Sequence, residues 1–424
     1  MNFTKEIWEN GMTLRACEME GAHSITLMLM LRGGAAWEPA RQKGITHLVE
    51  HLCFRRCAGM RQEEFYYKVE RTGGLLRGIT YRDRVLFEIT VSPSHFNEAA
   101  DILRSLFEEN GWTYEDIRRE KAVVLKQMED GNDYCLETMI SDVFNHSPCG
   151  EPIAGTRKKL KKLTRPQIKA QKAELFRSEG CEIILTGSIS PAQIRHAREV
   201  FSPVTRAAAK ECADITPAYF LKRQSKHDQL FTDEAEIVKV GLTFDVDTSK
   251  VLPIEAELLR QLLCDGLLTP FTMRLREELG LLHEIQSNTE FFDFGGLMYF
   301  IFSVHKDDTP LLMEEITKIL AQQKQCIDKR AFECVYAAYT DGAGILFDDP
   351  RSFAYELAFD DGITTPQSYV ERNRSITYEQ IGKAAKEIFK PQNLIVSLND
   401  VPREEKFKKM IYEKKEQLRQ ALEK

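Results

Sequence analysis

Two histidines and a glutamate lie close together in the segment GITHLVEHLCFRR, residues 44–56. His47 and His51 are four residues apart, about one helical turn, so on a helix both imidazoles leave the same face and can bind one ion. Neutral imidazoles suit zinc. Glu50 can accept a proton from metal-bound water, which is the general-base step of peptide hydrolysis. The H-x-x-E-H order therefore indicates a zinc site for hydrolysis.

Short motifs also occur by chance. The alternative is that His47 and His51 are ordinary polar residues on a partly buried helix. The surrounding elements and motifs decide between these interpretations.

Each half of the chain begins and ends with a predicted strand. The first strands lie in 24–38 and 236–248, and the closing strands lie in 182–190 and 393–401, after long helical stretches. This parallel predicts an internal duplication of roughly 200 residues. Because periodicity is lost over 204–230, we expect an N-terminal αβ domain at 1–214 and a homologous C-terminal domain at 215–424.

The end of the chain, from Pro402 to Lys424, has a charge-rich helical pattern. It predicts a solvated helix that packs only through its apolar side chains. These are Phe407, Ile411, Leu418 and Leu422.

Composition excludes several classes of protein. The chain has 424 residues, a net charge of -7 and 43% apolar residues, which is a typical globular balance for about two domains. No basic field favours nucleic acid, and no apolar run is long enough for a membrane span, so we expect a cytoplasmic protein that binds neither. Ten cysteines without C-x-x-C pairs favour reduced thiols.

Several separated segments resemble the pitrilysin, insulinase and mitochondrial processing peptidase family, in the family's order. They are GITHLVEHLCF (44–54), GGLLRGIT (73–80), REKAVVLKQM (119–128), HSPCGEPIAGT (146–156) and LREELGLLH (275–283). The resemblance implies an α+β fold of two homologous domains, each a mainly antiparallel sheet backed by helices. It also implies pairing with a second copy or a related subunit, as a homodimer or heterodimer that encloses a peptide substrate.

The third metal ligand departs from the family pattern. In the family, a glutamate on a second helix completes the zinc site, and another glutamate seven residues earlier supports it. Glu120 matches the supporting glutamate, whereas the ligand position falls on Gln127. An amide oxygen brings no negative charge, so we expect one zinc ion per chain, bound more weakly than by a carboxylate. As a metal ligand in place of Gln127, Asp130 is the better substitute among nearby acids. Cys57 is another possible ligand, but a small buried residue is the simpler interpretation.

A second departure concerns substrate binding. Arg77 lies where the family has an asparagine that holds the substrate backbone, and with Gly78 it is expected to contact substrate. A solvated surface arginine is the alternative. The following strand, RVLFEITV at 84–91, alternates as a half-buried strand that can pair with an extended peptide, although packing alone gives the same pattern.

In the second half, the family carries an arginine and, seven residues later, a tyrosine that reach the peptide carbonyl. Arg276 matches the arginine, and His283 replaces the tyrosine. A histidine N–H can still donate to a developing oxyanion, with a pH dependence that tyrosine lacks. A surface histidine at a helix end is the alternative.

These observations lead to two hypotheses. The first is a zinc metalloendopeptidase that acts on peptides or unfolded segments, with His47, His51 and Gln127 as metal ligands and Glu50 as general base. The second is a catalytically weak or inactive family member that serves as the substrate-binding or structural subunit of a heterodimeric peptidase. Three altered positions, Arg77, Gln127 and His283, favour the second hypothesis, and the complete H-x-x-E-H motif favours the first.

Overall fold

The computed structural model describes residues 2–128, 139–140, 143–144, 150–208, 236–282, 285–292, 295–360, 362–402 and 404–424. The strands are β1 Phe3–Ile7, β2 Thr13–Glu18, β3 Ile25–Arg32, β4 Arg56–Cys57, β5 Met60–Arg61, β6 Leu75–Thr80, β7 Arg84–Val91, β8 Cys181–Gly187, β9 Ile237–Val246, β10 Ile285–Phe292, β11 Gly295–His305 and β12 Leu394–Asn399.

The helices are α1 Ile45–Arg55, α2 Gln62–Glu70, α3 Phe96–Ser105, α4 Tyr114–Gln127, α5 Arg157–Lys162, α6 Arg165–Leu175, α7 Pro191–Phe201, α8 Pro253–Cys264, α9 Thr309–Gln325, α10 Lys329–Thr340, α11 Ala343–Leu346, α12 Pro350–Phe359, α13 Pro366–Arg374, α14 Tyr378–Ile388 and α15 Glu405–Glu423. A π-helical segment spans Thr272–Glu278.

The chain folds into two compact units. Unit 1 spans Met1–Gly131, Glu151–Asp214 and Ala343–Tyr369, and unit 2 spans Asn132–Gly150, Ile215–Gly342 and Val370–Lys424. Each unit therefore includes a short segment from the other half of the sequence. The domain division at 214/215 stays a prediction, because these compact units are not contiguous in the chain.

Unit 1 is built on a six-stranded sheet with the order β1-β2-β8-β3-β7-β6. Neighbouring strands are antiparallel, apart from the parallel pair β2 and β8. One face packs against helices, where α1 contacts α4, α6 and β6. Apolar side chains from both layers, including Leu48, Leu52 and Phe87, form one buried cluster. Burial of this apolar surface holds α1 against the sheet.

The opposite face of this sheet is covered by α12. The Thr186 hydroxyl donates to the carbonyl of Pro350 at 2.7 Å, and Arg84 Nη1 donates to the carbonyl of Ala358 at 2.5 Å. These bonds hold α12, which comes from the C-terminal half of the sequence, on β7 and β8. Unit 1 therefore has a layer on each face of its sheet.

Unit 2 repeats this plan with a four-stranded antiparallel sheet in the order β10-β11-β9-β12. Helices α8, α9 and α14 pack against each other or against the sheet. The C-terminal helix α15 buries Ile411, Leu418 and Leu422, and Phe407 is partly buried. The predicted helix and its four apolar contacts are confirmed, but the expectation that only apolar side chains pack is wrong, because Lys415 is also buried.

The two sheets share one topology. The order β8-β3-β7-β6 of unit 1 matches β12-β9-β11-β10 of unit 2, and α1 and α8 each follow the first long strand of that set. The predicted α+β fold, with mainly antiparallel sheets backed by helices, is confirmed.

No helix in the described ranges is long and apolar enough to cross a membrane. The seven cysteines that the structure describes are free thiols.

Candidate metal and peptidase site

Helix α1 begins in an unusual turn. Its N-cap, Gly44, has φ 91°, in the left-handed region that favours glycine. A Cβ there would lie 2.2 Å from the carbonyl oxygen of Ala154. The turn and the loop around Ala154 therefore fit together only with glycine at this position.

A buried carboxylate caps this helix. Glu38 accepts hydrogen bonds from the backbone N–H of Gly44 at 2.7 Å and of Thr46 at 2.6 Å. Burial raises the pKa of Glu38 to about 7, against the opposing effect of these N–H donors. Sequence reasoning missed Glu38, because it caps from six residues away rather than from the N-cap position itself.

The helix brings the predicted chemical groups together. Ligand atoms of His47, Glu50 and His51 all lie within 4.8 Å of one another, and the two imidazole centroids are 4.6 Å apart. Nδ1 of His47 lies 3.4 Å from Oε2 of Glu50. Burial alone would lower the pKa of His47, but Glu50 and Gln127 beside the ring raise it above its ordinary value.

Helix α4 supplies the second side of the site. Thr113 caps it and accepts a hydrogen bond from the backbone N–H of Asp116. Gln127 Oε1 then lies 3.1 Å from Nε2 of His47, and Glu120 Oε2 lies 3.4 Å from Nδ1 of His51. Each predicted residue of α4 therefore contacts one of the two histidines.

Glu120 is held by an arginine that sequence reasoning did not single out. Arg55 Nε donates to Glu120 Oε1 at 2.5 Å, and a second guanidinium nitrogen contacts the same oxygen. Arg55 Nη1 also donates to Gln62 Oε1 at 2.7 Å. Burial opposes ionisation of Glu120, but contacts with His51 and Arg55 hold its pKa below its ordinary value. Arg55 lies four residues after His51, and this helical spacing was the sequence signal that could have identified it.

Strand β6 completes the surroundings of Glu50. The Thr80 hydroxyl donates to Glu50 Oε2 at 3.2 Å. Gly78 lies so close that a Cβ on it would be 2.6 Å from Glu50 Oε1 and 2.8 Å from Phe54 Cε2. Glycine at 78 is therefore what gives the Glu50 carboxylate its room.

Among the described residues, β6 is an edge strand of this sheet, whereas the strand at 84–91 is not. That segment, β7, pairs with β3 on one side and with β6 on the other, so the prediction that it pairs with a peptide is wrong. Its residues Val85–Ile89 are all buried, because α12 covers the face that we expected to be solvated. The edge strand β6 carries Arg77 and Gly78.

Four further residues were predicted: Arg276, His283, Asp130 and Cys57. Arg276 lies in the π-helical segment of unit 2, with its side chain 46% exposed and 3.4 Å from Glu277. His283 and Asp130 lie outside the described residues. Cys57 is buried with Sγ 3.2 Å from the Ser105 hydroxyl, as expected for a small buried residue.

The chemistry of the cluster fits a zinc ion. Two imidazoles converge beside the Glu50 carboxylate, and imidazole is a ligand type that zinc uses. Nδ1 of His47 is buried and has no hydrogen-bond partner among the residues that the structure describes. A cation would satisfy such a nitrogen. Gln127 can add a neutral oxygen, so the donor set is suitable but carries little negative charge.

Two family models match the chain. Residues 16–157 match "Insulinase (Peptidase family M16)", and residues 162–336 match "Peptidase M16 inactive domain". The chain belongs to this family of insulinase-like and mitochondrial-processing-peptidase-like proteins, as the resemblance of its motifs implied.

Relatives carry consistent names. A Rickettsia bellii protein named "Uncharacterized zinc protease" is 21% identical, over 78% of this chain and 81% of its own length. A Schizosaccharomyces pombe protein named "Probable mitochondrial-processing peptidase subunit beta" is 22% identical, over 44% of this chain and 42% of its own length.

Solved structures share the fold. A protease from Helicobacter pylori matches with a TM-score of 0.81 at 16% identity, covering 94% of this chain and 99% of the other. A Pseudomonas fluorescens structure titled as a peptidase M16 inactive domain matches with a TM-score of 0.82 at 13% identity, covering 95% and 99%.

Proposed function

We propose that this protein is a zinc-dependent metalloendopeptidase that hydrolyses peptides or unfolded segments. The observation that carries the proposal is the convergence of His47, Glu50 and His51 within 4.8 Å, with Gln127 in contact with His47. A zinc ion bound by the two histidines and Gln127 would supply Lewis-acid polarisation of a peptide carbonyl and of water.

The chain's own residues perform the remaining tasks. Glu50 accepts the proton of the attacking water and returns it to the leaving amine. The Thr80 hydroxyl orients the Glu50 carboxylate, while Glu120 and Arg55 fix the ring of His51. Arg276 and His283 keep their predicted role as donors to a peptide carbonyl.

Substrate orientation is assigned to the free edge of β6. An extended peptide can add to such an edge through main-chain hydrogen bonds. Such pairing needs an extended segment, which peptides and unfolded segments supply, so these are the expected substrates. A homodimer or a heterodimer with a related subunit is the proposed assembly.

A second candidate function follows from the charge of the site. Gln127 is neutral, and Arg55 neutralises Glu120, so the site offers little negative charge to a divalent ion. A weak or inactive member that binds substrate for a catalytic partner would tolerate such a site. One relative, the Schizosaccharomyces pombe protein, is named as a subunit of a peptidase.

Zinc content and peptide cleavage of the purified protein separate the two candidates. The metalloendopeptidase should bind one zinc ion per chain and cleave an unstructured peptide, and a His51→Gln variant should lose both properties. A folded wild-type protein that takes up no zinc and cleaves nothing contradicts the metalloendopeptidase and supports the subunit.

A further inference from the structure

One arginine on β6, an edge strand of the described unit 1 sheet, has no charge partner among the described residues. Arg77 lies on β6, and its side chain is exposed. Within the part of the chain that the structure describes, no carboxylate lies within ion-pair distance of its guanidinium and no acceptor bonds to it. A positive charge is therefore available on the strand to which a peptide would add.

Other arginines near this face of the sheet are paired. Arg84 Nη2 lies 2.6 Å from Asp83 Oδ2, and Arg351 Nε lies 2.7 Å from Glu88 Oε1. Glu88 is the direct cross-strand partner of Arg77, yet Glu88 is only 2% exposed and is bound by Arg351. Glu88 is therefore not available to pair with Arg77.

The alternation of β6 relates Arg77 to the catalytic group. Gly78 faces Glu50, and successive strand residues point to opposite faces of a sheet. In a peptide paired with β6, the residue beside Gly78 therefore directs its side chain toward Glu50, and its neighbour directs its side chain toward the face of Arg77. On that face Leu75 and Ile79 flank Arg77, and Leu75 is 60% exposed.

We propose that Arg77 selects an acidic side chain in the substrate, next to the residue that lies beside Glu50. The inference deepens the proposed peptidase function and rests on it. A guanidinium presents a planar fork that a carboxylate can accept through two hydrogen bonds. Leu75 and Ile79 favour apolar side chains two residues to either side of the acid, so the preferred pattern alternates apolar, acidic and apolar residues on this face.

Paired quenched-fluorescence peptides test the selection. A series of otherwise identical peptides carries Glu or Lys at each successive position around the cleaved bond. At the selected position, kcat/KM of the wild type should be about 5- to 10-fold higher with Glu than with Lys, as expected for a partly exposed charge pair. Arg77→Lys should keep the preference, Arg77→Gln should abolish it and Arg77→Glu should reverse it.

Arg71 provides the matched control. It is an exposed arginine directly after α2 that stacks on the ring of Tyr67 and is not on the edge strand. Arg71→Gln removes the same charge and should leave the Glu-to-Lys ratio unchanged. An equal change of the ratio in Arg71→Gln would overturn the assignment to Arg77.

Binding to Glu50→Gln separates this inference from the hydrolase proposal. Fluorescence anisotropy of the same peptides on this variant measures selection without cleavage. A preference for Glu that depends on Arg77, without any hydrolysis by the wild type, supports the selection and contradicts the peptidase. Hydrolysis with the same Glu-to-Lys ratio in the wild type, Arg77→Gln and Arg77→Glu overturns the selection and leaves the peptidase standing.

Discussion

In the proposed metal site, Gln127 is the ligand without a charge. Its amide oxygen lies 3.1 Å from His47 Nε2, where a glutamate would add a negative charge. We expect Gln127→Glu to tighten zinc binding by about 1.4 kcal/mol, or tenfold, since contacts to charged groups are stronger than neutral ones. Competition with a chromophoric chelator measures the zinc Kd.

Ala122→Glu is the control for added charge. Ala122 is an exposed residue of α4 on a different side of the helix from Gln127. This variant should leave the zinc Kd unchanged. If Gln127→Glu also leaves it unchanged, Gln127 is not the third ligand.

Gly78 has a different kind of role, because it acts by having no side chain. A Cβ at 78 would lie 2.6 Å from Glu50 Oε1 and 2.9 Å from Glu50 Cγ, so Gly78→Ala must displace the carboxylate. We expect kcat/KM for peptide cleavage to fall about 100-fold, as a misplacement of roughly 1 Å can cost. Circular dichroism should show an intact fold.

Gly382→Ala is the matched variant for this substitution. Gly382 lies in α14 and has no atoms near its ideal Cβ position, so alanine should stabilise the protein by about 0.5–1 kcal/mol and leave cleavage unchanged. Wild-type activity in Gly78→Ala would mean that Glu50 does not need this space.

At the scale of elements, the motif helix depends on a cap from outside it. Glu38 binds the first N–H groups of α1, and burial raises its pKa from 4.5 to about 7. The native state therefore binds the proton of Glu38 more tightly than the unfolded state does. The stability that this protonation contributes is fully present below pH 4.5 and is lost as the pH rises through about 7.

Glu38→Gln removes this titration. The free energy of unfolding of the wild type, minus that of the variant, should fall with pH between 4.5 and 7, by up to about 1.4 kcal/mol per pH unit. Urea unfolding at several pH values gives both quantities. A difference that does not vary with pH would show that Glu38 keeps an ordinary pKa in the native state.

Some strands were predicted from the sequence, whereas β1, β2, β10 and β11 were not. Because β1 and β2 precede the segment 24–38, the expectation that this segment holds the first strand is wrong. The segments 24–38 and 182–190 contain β3 and β8, because runs of apolar residues ending at turn residues report burial on a sheet. The sequence pattern of β7 could not show that the strand is paired on both edges and buried on both faces. Its alternation describes a half-buried strand, but α12, from more than 250 residues later in the chain, covers its second face.

The site was predictable to the same extent. The positions of His47, Glu50 and His51 follow from helical spacing, and the contacts of Glu120 and Gln127 were expected from the family pattern. The roles of Glu38, Arg55 and Thr80 were not predictable, because each depends on a tertiary contact that no local periodicity records.

At the scale of the whole molecule, one topology occurs twice with different chemistry. Unit 2 matches the strand order of unit 1, but α8 carries no counterpart of the H-x-x-E-H motif. The buried Arg260 of α8 instead pairs with Glu257 and Asp265. Unit 1 carries the only H-x-x-E-H motif in the sequence. The proposed peptide hydrolysis therefore depends on Glu50.

The most direct test compares kcat/KM for an unstructured peptide between the wild type and Glu50→Gln at matched zinc content. The substitution keeps the shape of the side chain but removes its ability to accept a proton. A general base contributes about 10²- to 10⁴-fold, so we expect a loss of that size with zinc still bound. Equal activity in the two proteins would contradict the account.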